Sequence, residues 1–188
     1  MNESTLYILI AAIIVGLVGI ATLMILARRK TERLQTQFGP EYARAIEEGG
    51  RRQGEAGLRD REKRVERFSI RPLTPNDRNR YAVSWGKVQA QFVDDPNGSV
   101  TQADALLGDV MATRGYPVGD FEQRAADISV DHPAVVENYR AGHDIAVRQR
   151  RGEAGTEDLR QAMIHYRTLF DELVGGAEIA PSQVPPQA

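Results

Sequence analysis

Three histidines, two of them directly beside aspartates, are the residues of this chain best suited to chemistry. His132 follows Asp131, His143 precedes Asp144, and Asp127 lies one helical turn before Asp131. Imidazole and carboxylate groups are ordinary protein ligands of zinc. The spacing matches no known ligand set, since the chain has neither H-E-x-x-H nor two histidines four residues apart. We therefore expect no metal or other cofactor. A ligand- or metal-binding sensor that uses these histidines and aspartates is kept as an alternative function.

The motifs that support catalysis in most enzymes are missing from the sequence. The chain contains no cysteine, which excludes thiolate catalysis, disulfides and Cys-ligated zinc. It has no G-x-x-x-x-G-K-[ST], no G-x-G-x-x-G and no G-x-S-x-G element, so phosphate cradles and the usual serine nucleophile have no support. We expect no enzyme activity.

Polar and aromatic residues close to turns between the predicted helices are the candidates for contact with a protein partner. They are Tyr116, His132, Tyr139, Arg140 and His143. Tyr and Arg are enriched among the residues that dominate binding energy at interfaces. The same strings can also be turn and cap chemistry that fixes the order of the helices. The leading hypothesis is a non-enzymatic interaction or scaffolding protein with an unidentified partner.

An uncharged apolar segment near the N-terminus predicts a membrane anchor. Residues 6–27 form a run of 22 residues without Asp, Glu, Lys or Arg. A helix of that length spans about 33 Å, slightly more than the roughly 30 Å hydrocarbon core of a bilayer. A cleaved signal peptide would need a basic start and a shorter apolar stretch, and residues 1–4 carry no basic side chain. We predict a retained transmembrane helix, with Ala12, Gly16 and Gly19 as a small-residue face for self-association.

Basic residues follow the apolar segment directly and predict its orientation. Arg28, Arg29, Lys30 and Arg33 cluster at its C-terminal end. Basic flanks stay on the cytoplasmic side, so we predict the N-terminus outside and the C-terminal domain in the cytoplasm. The same four residues could bind anionic lipid at about 1 kcal/mol each. Because acidic residues are interleaved further along, a solvated helix surface is the simpler interpretation, and nucleic-acid binding is not expected.

The remaining sequence predicts an all-α protein. Apolar residues recur at helical spacing after Pro72, as in Tyr81, Trp85, Val88 and Phe92, and no segment alternates with period two. Thr74 and Pro75 are typical of a helix start. The predicted organisation is a short N-terminal tail (1–5), a transmembrane helix (6–27), a basic juxtamembrane helical stalk (28–71), a compact bundle of four to five helices (72–175), and a disordered Pro-rich tail (176–188).

Several strings in this order resemble an uncharacterised family of bacterial membrane-anchored helical proteins, often labelled hypothetical or secreted. They are Phe38-Gly39-Pro40-Glu41-Tyr42, Arg80-Tyr81 to Trp85 and on to Phe92-Val93-Asp94, Arg114-Gly115-Tyr116-Pro117, Ser129-Val130-Asp131-His132-Pro133 and His165-Tyr166-Arg167. The resemblance implies no particular activity. It implies a bacterial cell envelope, and with the basic flank it places the predicted anchor in the inner membrane.

Overall fold

The structure, a computed structural model, describes the backbone of residues 3–175 and the side chains of residues 14–175. Its described part is all α-helical, as predicted, and contains no strand. The helices are α1 (Glu3–Phe38), α2 (Pro40–Val65), α3 (Pro75–Gln91), α4 (Pro96–Arg114), α5 (Phe121–Asp131), α6 (Pro133–Arg150) and α7 (Thr156–Gly175). They divide into two compact units, one ending at Leu58 and the other beginning at Arg59.

The predicted membrane anchor falls within α1. Among the described residues, no helix is both long enough and apolar enough to cross a membrane. The side chains of residues 6–13, Ala12 among them, lie outside the described part of the chain. The predicted tail at 1–5 overlaps the helix, which already begins at Glu3. The predicted tail at 176–188 lies wholly outside the described residues.

Two glycines shape the first unit. Gly50 has a φ of 70° and a ψ of 166° and interrupts α2. Gly54 lies so close to the preceding part of α2 that an added Cβ would be 2.5 Å from the carbonyl oxygen of Ala45. Only glycine permits both the positive φ and this approach of two backbones. Within the predicted stalk, α2 is therefore interrupted at Gly50, and the residues around Gly54 lie against those around Ala45.

The second unit includes residues that were predicted to belong to the stalk. Both the Nε and Nη2 atoms of Arg64 donate to Oδ1 of the buried Asp127 in α5, at 2.8 and 2.5 Å. Phe68 and Ile70 pack against the hydrophobic core. Residues 59–71 are thus attached to the bundle, because their few apolar side chains find a core there that the sequence pattern did not reveal.

Five helices, α3 to α7, build the core of the second unit. Thr74, Asp95 and Asp120 cap α3, α4 and α5, their side chains accepting from a backbone N–H three residues on. Trp85 of α3 stacks on Phe170 of α7 with ring centroids 4.6 Å apart. The predicted Thr74 cap is confirmed.

Local hydrogen bonds define the starts of α5 and α7. After its cap residue Asp120, α5 continues to Asp131. Thr156 is the first residue of α7. The N–H of the preceding Gly155 donates to the Asp158 carboxylate, and the Gly155 carbonyl accepts from the N–H of Leu159.

Candidate partner-binding groove and buried polar cluster

Tyr116, one of the predicted partner contacts, is buried in the bundle. Only 4% of it is exposed, and its hydroxyl donates to Oδ2 of Asp131 at 2.7 Å. Burial, followed by the hydrogen bond to this carboxylate, raises the pKa of Tyr116 well above its usual range. The residue links the end of α4 to the end of α5 and is not positioned to touch a partner.

Tyr139 is also inside the bundle. Its side chain is fully buried, with its ring 4.8 Å from that of Phe121 and 6.3 Å from that of Tyr166. Burial raises the pKa of Tyr139, and the nearby Asp104 carboxylate raises it further. Tyr139 is therefore core, as aromatic residues at helical spacing usually are.

Two other predicted contacts, His132 and Arg140, are each held near the surface by a bond to a glutamate. The Nδ1 atom of His132 lies 2.9 Å from Oε1 of Glu172, and Nη1 of Arg140 donates to Oε2 of Glu122 at 2.7 Å. Each side chain is only 11% exposed, whereas the two glutamates are largely accessible. A partner would meet mainly the glutamates.

His143 stacks on Phe121 and does not meet His132. The two rings are nearly parallel, 5° apart in orientation, with centroids separated by 3.5 Å. Burial lowers the pKa of His143, so its ring is neutral near pH 7. His143 follows His132 by eleven residues, which corresponds to about 16 Å along a helix axis. Among the described residues no three His, Asp or Glu side chains are placed to hold a metal ion. The residues of the sensor alternative are therefore not grouped to hold a metal ion.

A polar cluster, called here the buried polar cluster, consists of Asp104, Arg124, Tyr139, His143 and Tyr166. Its two tyrosines are fully buried, whereas the other three side chains are partly exposed. An Nη2 atom of Arg124 lies 3.9 Å from Oδ2 of Asp104. Asp104 and Arg124 both influence the pKa values of the other three members, which places all five close together.

Each member of the buried polar cluster has one solvent-inaccessible atom without a hydrogen-bond partner. These atoms are Asp104 Oδ1, Arg124 Nε, Tyr139 Oη, His143 Nδ1 and Tyr166 Oη. An unsatisfied buried polar group costs about 1–3 kcal/mol. The unsatisfied atoms therefore make the cluster a local weakness of the core.

An open groove lies on the bundle surface between α3 and α7. It has a volume of about 200 Å³ and is lined by Gln89, Phe92, Arg160, Met163, Ile164 and Arg167. Its floor is apolar, and Ile164 remains 46% exposed. The lining contains two guanidinium groups and no carboxylate. The sequence contained one signal for this groove. Ile164 is apolar, but it lies outside the face of α7 that carries Leu159, Tyr166 and Phe170.

Each groove arginine has an acidic neighbour on its own helix. Arg160 donates to both carboxylate oxygens of Glu157, at 2.8 and 2.6 Å. These bonds lower the pKa of Glu157 to about 2. The Nε atom of Arg167 lies 3.4 Å from Oδ2 of Asp171. All four side chains are at least half exposed, so neither pair is shielded from water.

In the first unit, several hydrogen bonds converge on one buried carboxylate, that of Glu55. Glu55 is buried and accepts hydrogen bonds from Thr31, Tyr42 and Arg51. These bonds outweigh the effect of burial and lower the pKa of Glu55.

The predicted lipid contacts Arg28, Arg29, Lys30 and Arg33 are all exposed. In the predicted self-association face, no heavy atom lies within 4 Å of a Cβ built on Gly16 or Gly19, so both positions are open.

Comparison with protein-family models, with curated proteins and with solved structures finds no match to this chain. The resemblance drawn from the sequence strings therefore stays a prediction.

Proposed function

We propose that this chain is a membrane-anchored interaction module whose partner binds in the groove between α3 and α7. The observation that carries the proposal is an open apolar groove on the surface of the bundle. Phe92, Met163 and Ile164 line it beside two exposed arginines. Apolar contact area within a polar rim is the usual composition of a protein-binding site. This surface replaces the predicted contacts Tyr116, which follows α4, and Tyr139, which lies in α6, because both are buried.

The anchor in this proposal is the apolar segment 6–27. Its support comes from the sequence, in which 22 uncharged residues precede Arg28, Arg29 and Lys30. Length, composition and basic flank together favour a single crossing of the bacterial inner membrane with the C-terminal unit in the cytoplasm. The basic residues would then meet anionic headgroups.

Site-specific photocrosslinking in living cells tests the proposed partner site. A benzophenone amino acid replaces Ile164 in the groove, and a matched variant carries it at Val118, an equally apolar position that is 84% exposed and outside the groove. We expect a reproducible crosslinked protein band from position 164 and none from position 118. Absence of a band at 164, or the same bands from both positions, would overturn the interaction-module proposal.

The orientation is tested separately by cysteine labelling, for which the cysteine-free chain is well suited. Ser4→Cys and Ser182→Cys variants are exposed to a membrane-impermeant maleimide in intact and in permeabilised cells. We expect position 4 to react in intact cells and position 182 only after permeabilisation. Labelling of 182 but not 4 in intact cells would reverse the proposed orientation.

A further inference from the structure

We propose that the groove binds an amphipathic α-helix of a partner protein that carries two carboxylates seven residues apart on either side of its apolar residues. The inference rests on the proposed function and names the partner class of the same site. It follows from the separation of the two groove arginines and from the apolar residues between them.

The spacing of the arginines sets the spacing on the partner. Arg160 and Arg167 lie in the same helix and are separated by seven residues. At 1.5 Å per residue, this is about 10 Å, or two helical turns. A second helix lying along α7 presents acidic side chains at the same interval when they are seven residues apart, which keeps them on one face. Its apolar residues at the third and fourth positions then face Met163 and Ile164.

The charges favour an acidic partner over a basic or neutral one. Both charged residues of the groove lining are arginines, whose planar guanidinium groups bind carboxylates through two parallel hydrogen bonds. Their present partners, Glu157 and Asp171, are outside the lining. Exposed ion pairs of this kind stabilise a helix only slightly. A partner carboxylate that is shielded by the docked helix can therefore compete with them.

A helix is also favoured by the shape of the site. The groove is formed by two packed helices and extends along two turns of α7. Amphipathic helices commonly bind such grooves through apolar anchors spaced by three, four or seven residues. An occupant of this kind would bury the exposed face of Ile164, which the bundle leaves open.

Two designed peptides provide the test. Each is a labelled helix of about 18 residues, long enough to be helical in water. Both have the same leucine anchors, and the flanking positions seven residues apart are Glu in one and Lys in the other. Binding to the full-length protein in detergent is measured by fluorescence anisotropy. We expect the Glu peptide to bind at least about 10-fold more tightly than the Lys peptide, with a preference that weakens as salt is raised.

A charge-reversed protein completes the test. The double variant Arg160→Glu, Arg167→Glu should reverse the preference and bind the Lys peptide more tightly. Arg80→Glu is the matched control, because Arg80 pairs with Asp77 three residues earlier, as Arg160 pairs with Glu157, but lies outside the groove lining. It should retain the preference for the Glu peptide. The reversal cannot be explained by misfolding, since a misfolded protein would lose both peptides.

Equal affinity for the two peptides, or no binding of either, would overturn this inference. That result leaves the proposed function standing if Ile164 still crosslinks a protein in cells. Loss of the crosslink overturns the proposed function itself, whichever peptide binds in vitro. The two failures are therefore distinguishable.

Discussion

The hydroxyl groups of Tyr139 and Tyr166 are inaccessible to solvent and have no hydrogen-bond partner. Both residues are fully buried, and burial raises the pKa of each hydroxyl. A phenol in this state loses its bonds to water on folding and gains none in return. The aromatic rings stabilise the core through their buried area, while their hydroxyl groups weaken it.

Removing either hydroxyl should therefore not destabilise the bundle. We expect Tyr139→Phe and Tyr166→Phe to leave the free energy of unfolding unchanged or to raise it by up to about 1 kcal/mol. Tyr116→Phe is the control, because the Tyr116 hydroxyl donates to Asp131, and it should lose about 1–2 kcal/mol. Urea denaturation followed by the fluorescence of the single tryptophan, Trp85, reports on this unit. An equal loss in all three variants would reveal hidden partners for the two buried hydroxyls.

His143 should make the bundle sensitive to acid. Its pKa is lowered chiefly by burial, and the surrounding charges are Asp104, Glu122, Arg124 and Arg150. The unfolded chain, with an ordinary histidine pKa near 6.5, then binds a proton before the folded protein does. This contribution to stability is complete above about pH 6.5, is lost as the pH falls below it, and stops changing below the folded-state pKa.

The acid sensitivity is measured by comparing unfolding in urea at pH 7.5 and at about pH 5.5. We expect the loss of stability between these values to be smaller in His143→Gln than in the unchanged protein, since glutamine does not titrate. The absolute stability of the variant will also fall, because the ring stacks on Phe121. Only the difference between the two pH values bears on the prediction, and an identical difference in both proteins would contradict it.

Single residues were predicted well where burial follows from the periodicity of one helix. Tyr81, Trp85 and Val88 share a face of α3 in the sequence pattern and are buried in the structure. Tyr116 and Tyr139 were interpreted as partner contacts because they lie near turns. Their burial depends on α5 and α7, elements that are distant in sequence, and no pattern within their own segments could reveal it.

Among the helices, α6 and α7 approach closely where Tyr166 of α7 packs against Gly142 of α6. A Cβ added at Gly142 would lie 2.7 Å from the Tyr166 ring. That distance is far inside van der Waals contact, and the ring is enclosed on all sides. Glycine is needed here for space, although it is normally unfavourable inside a helix. The residue pair thus sets how closely α6 and α7 can pack.

Two alanine substitutions should consequently have opposite effects. Gly142→Ala should lower the free energy of unfolding by about 1–3 kcal/mol, because the added methyl group displaces Tyr166. Gly86→Ala, in the exposed part of α3 with no atom within 4 Å of the new Cβ, should raise it by about 0.5–1 kcal/mol. Urea denaturation monitored at Trp85 measures both. Stabilisation by Gly142→Ala would show that α6 and α7 can separate at no cost.

The helices themselves were largely predictable, whereas their arrangement was not. The starts of α3 and α6 follow from Thr74-Pro75 and His132-Pro133, which are signals within one short segment. The close approach of Gly54 to Ala45 across the interruption at Gly50 could not be predicted, because it depends on how two helical segments pack. The groove was missed for a related reason, since it exists only where α3 and α7 lie side by side.

At the scale of the whole chain, charge is distributed unevenly along the sequence. Residues 28–80 contain 15 Lys and Arg against 9 Asp and Glu, whereas residues 81–188 contain 9 against 16. The net charges are therefore +6 and −7. If the anchor spans the membrane as proposed, the positive part follows it directly and attracts anionic lipid, while the acidic part does not.

Removing the basic cluster should reduce the anionic lipid that remains bound to the purified protein. In the variant Arg28→Gln, Arg29→Gln, Lys30→Gln, we expect the loss of about 1 kcal/mol per residue in lipid attraction, or roughly 5-fold each, with a smaller effect at high salt. The control removes the same charge from the second unit through Arg67→Gln, Arg78→Gln and Arg151→Gln. Native mass spectrometry after extraction in mild detergent counts the retained lipids. An equal reduction in both variants would mean that total charge, and not the position next to the apolar segment, governs lipid binding.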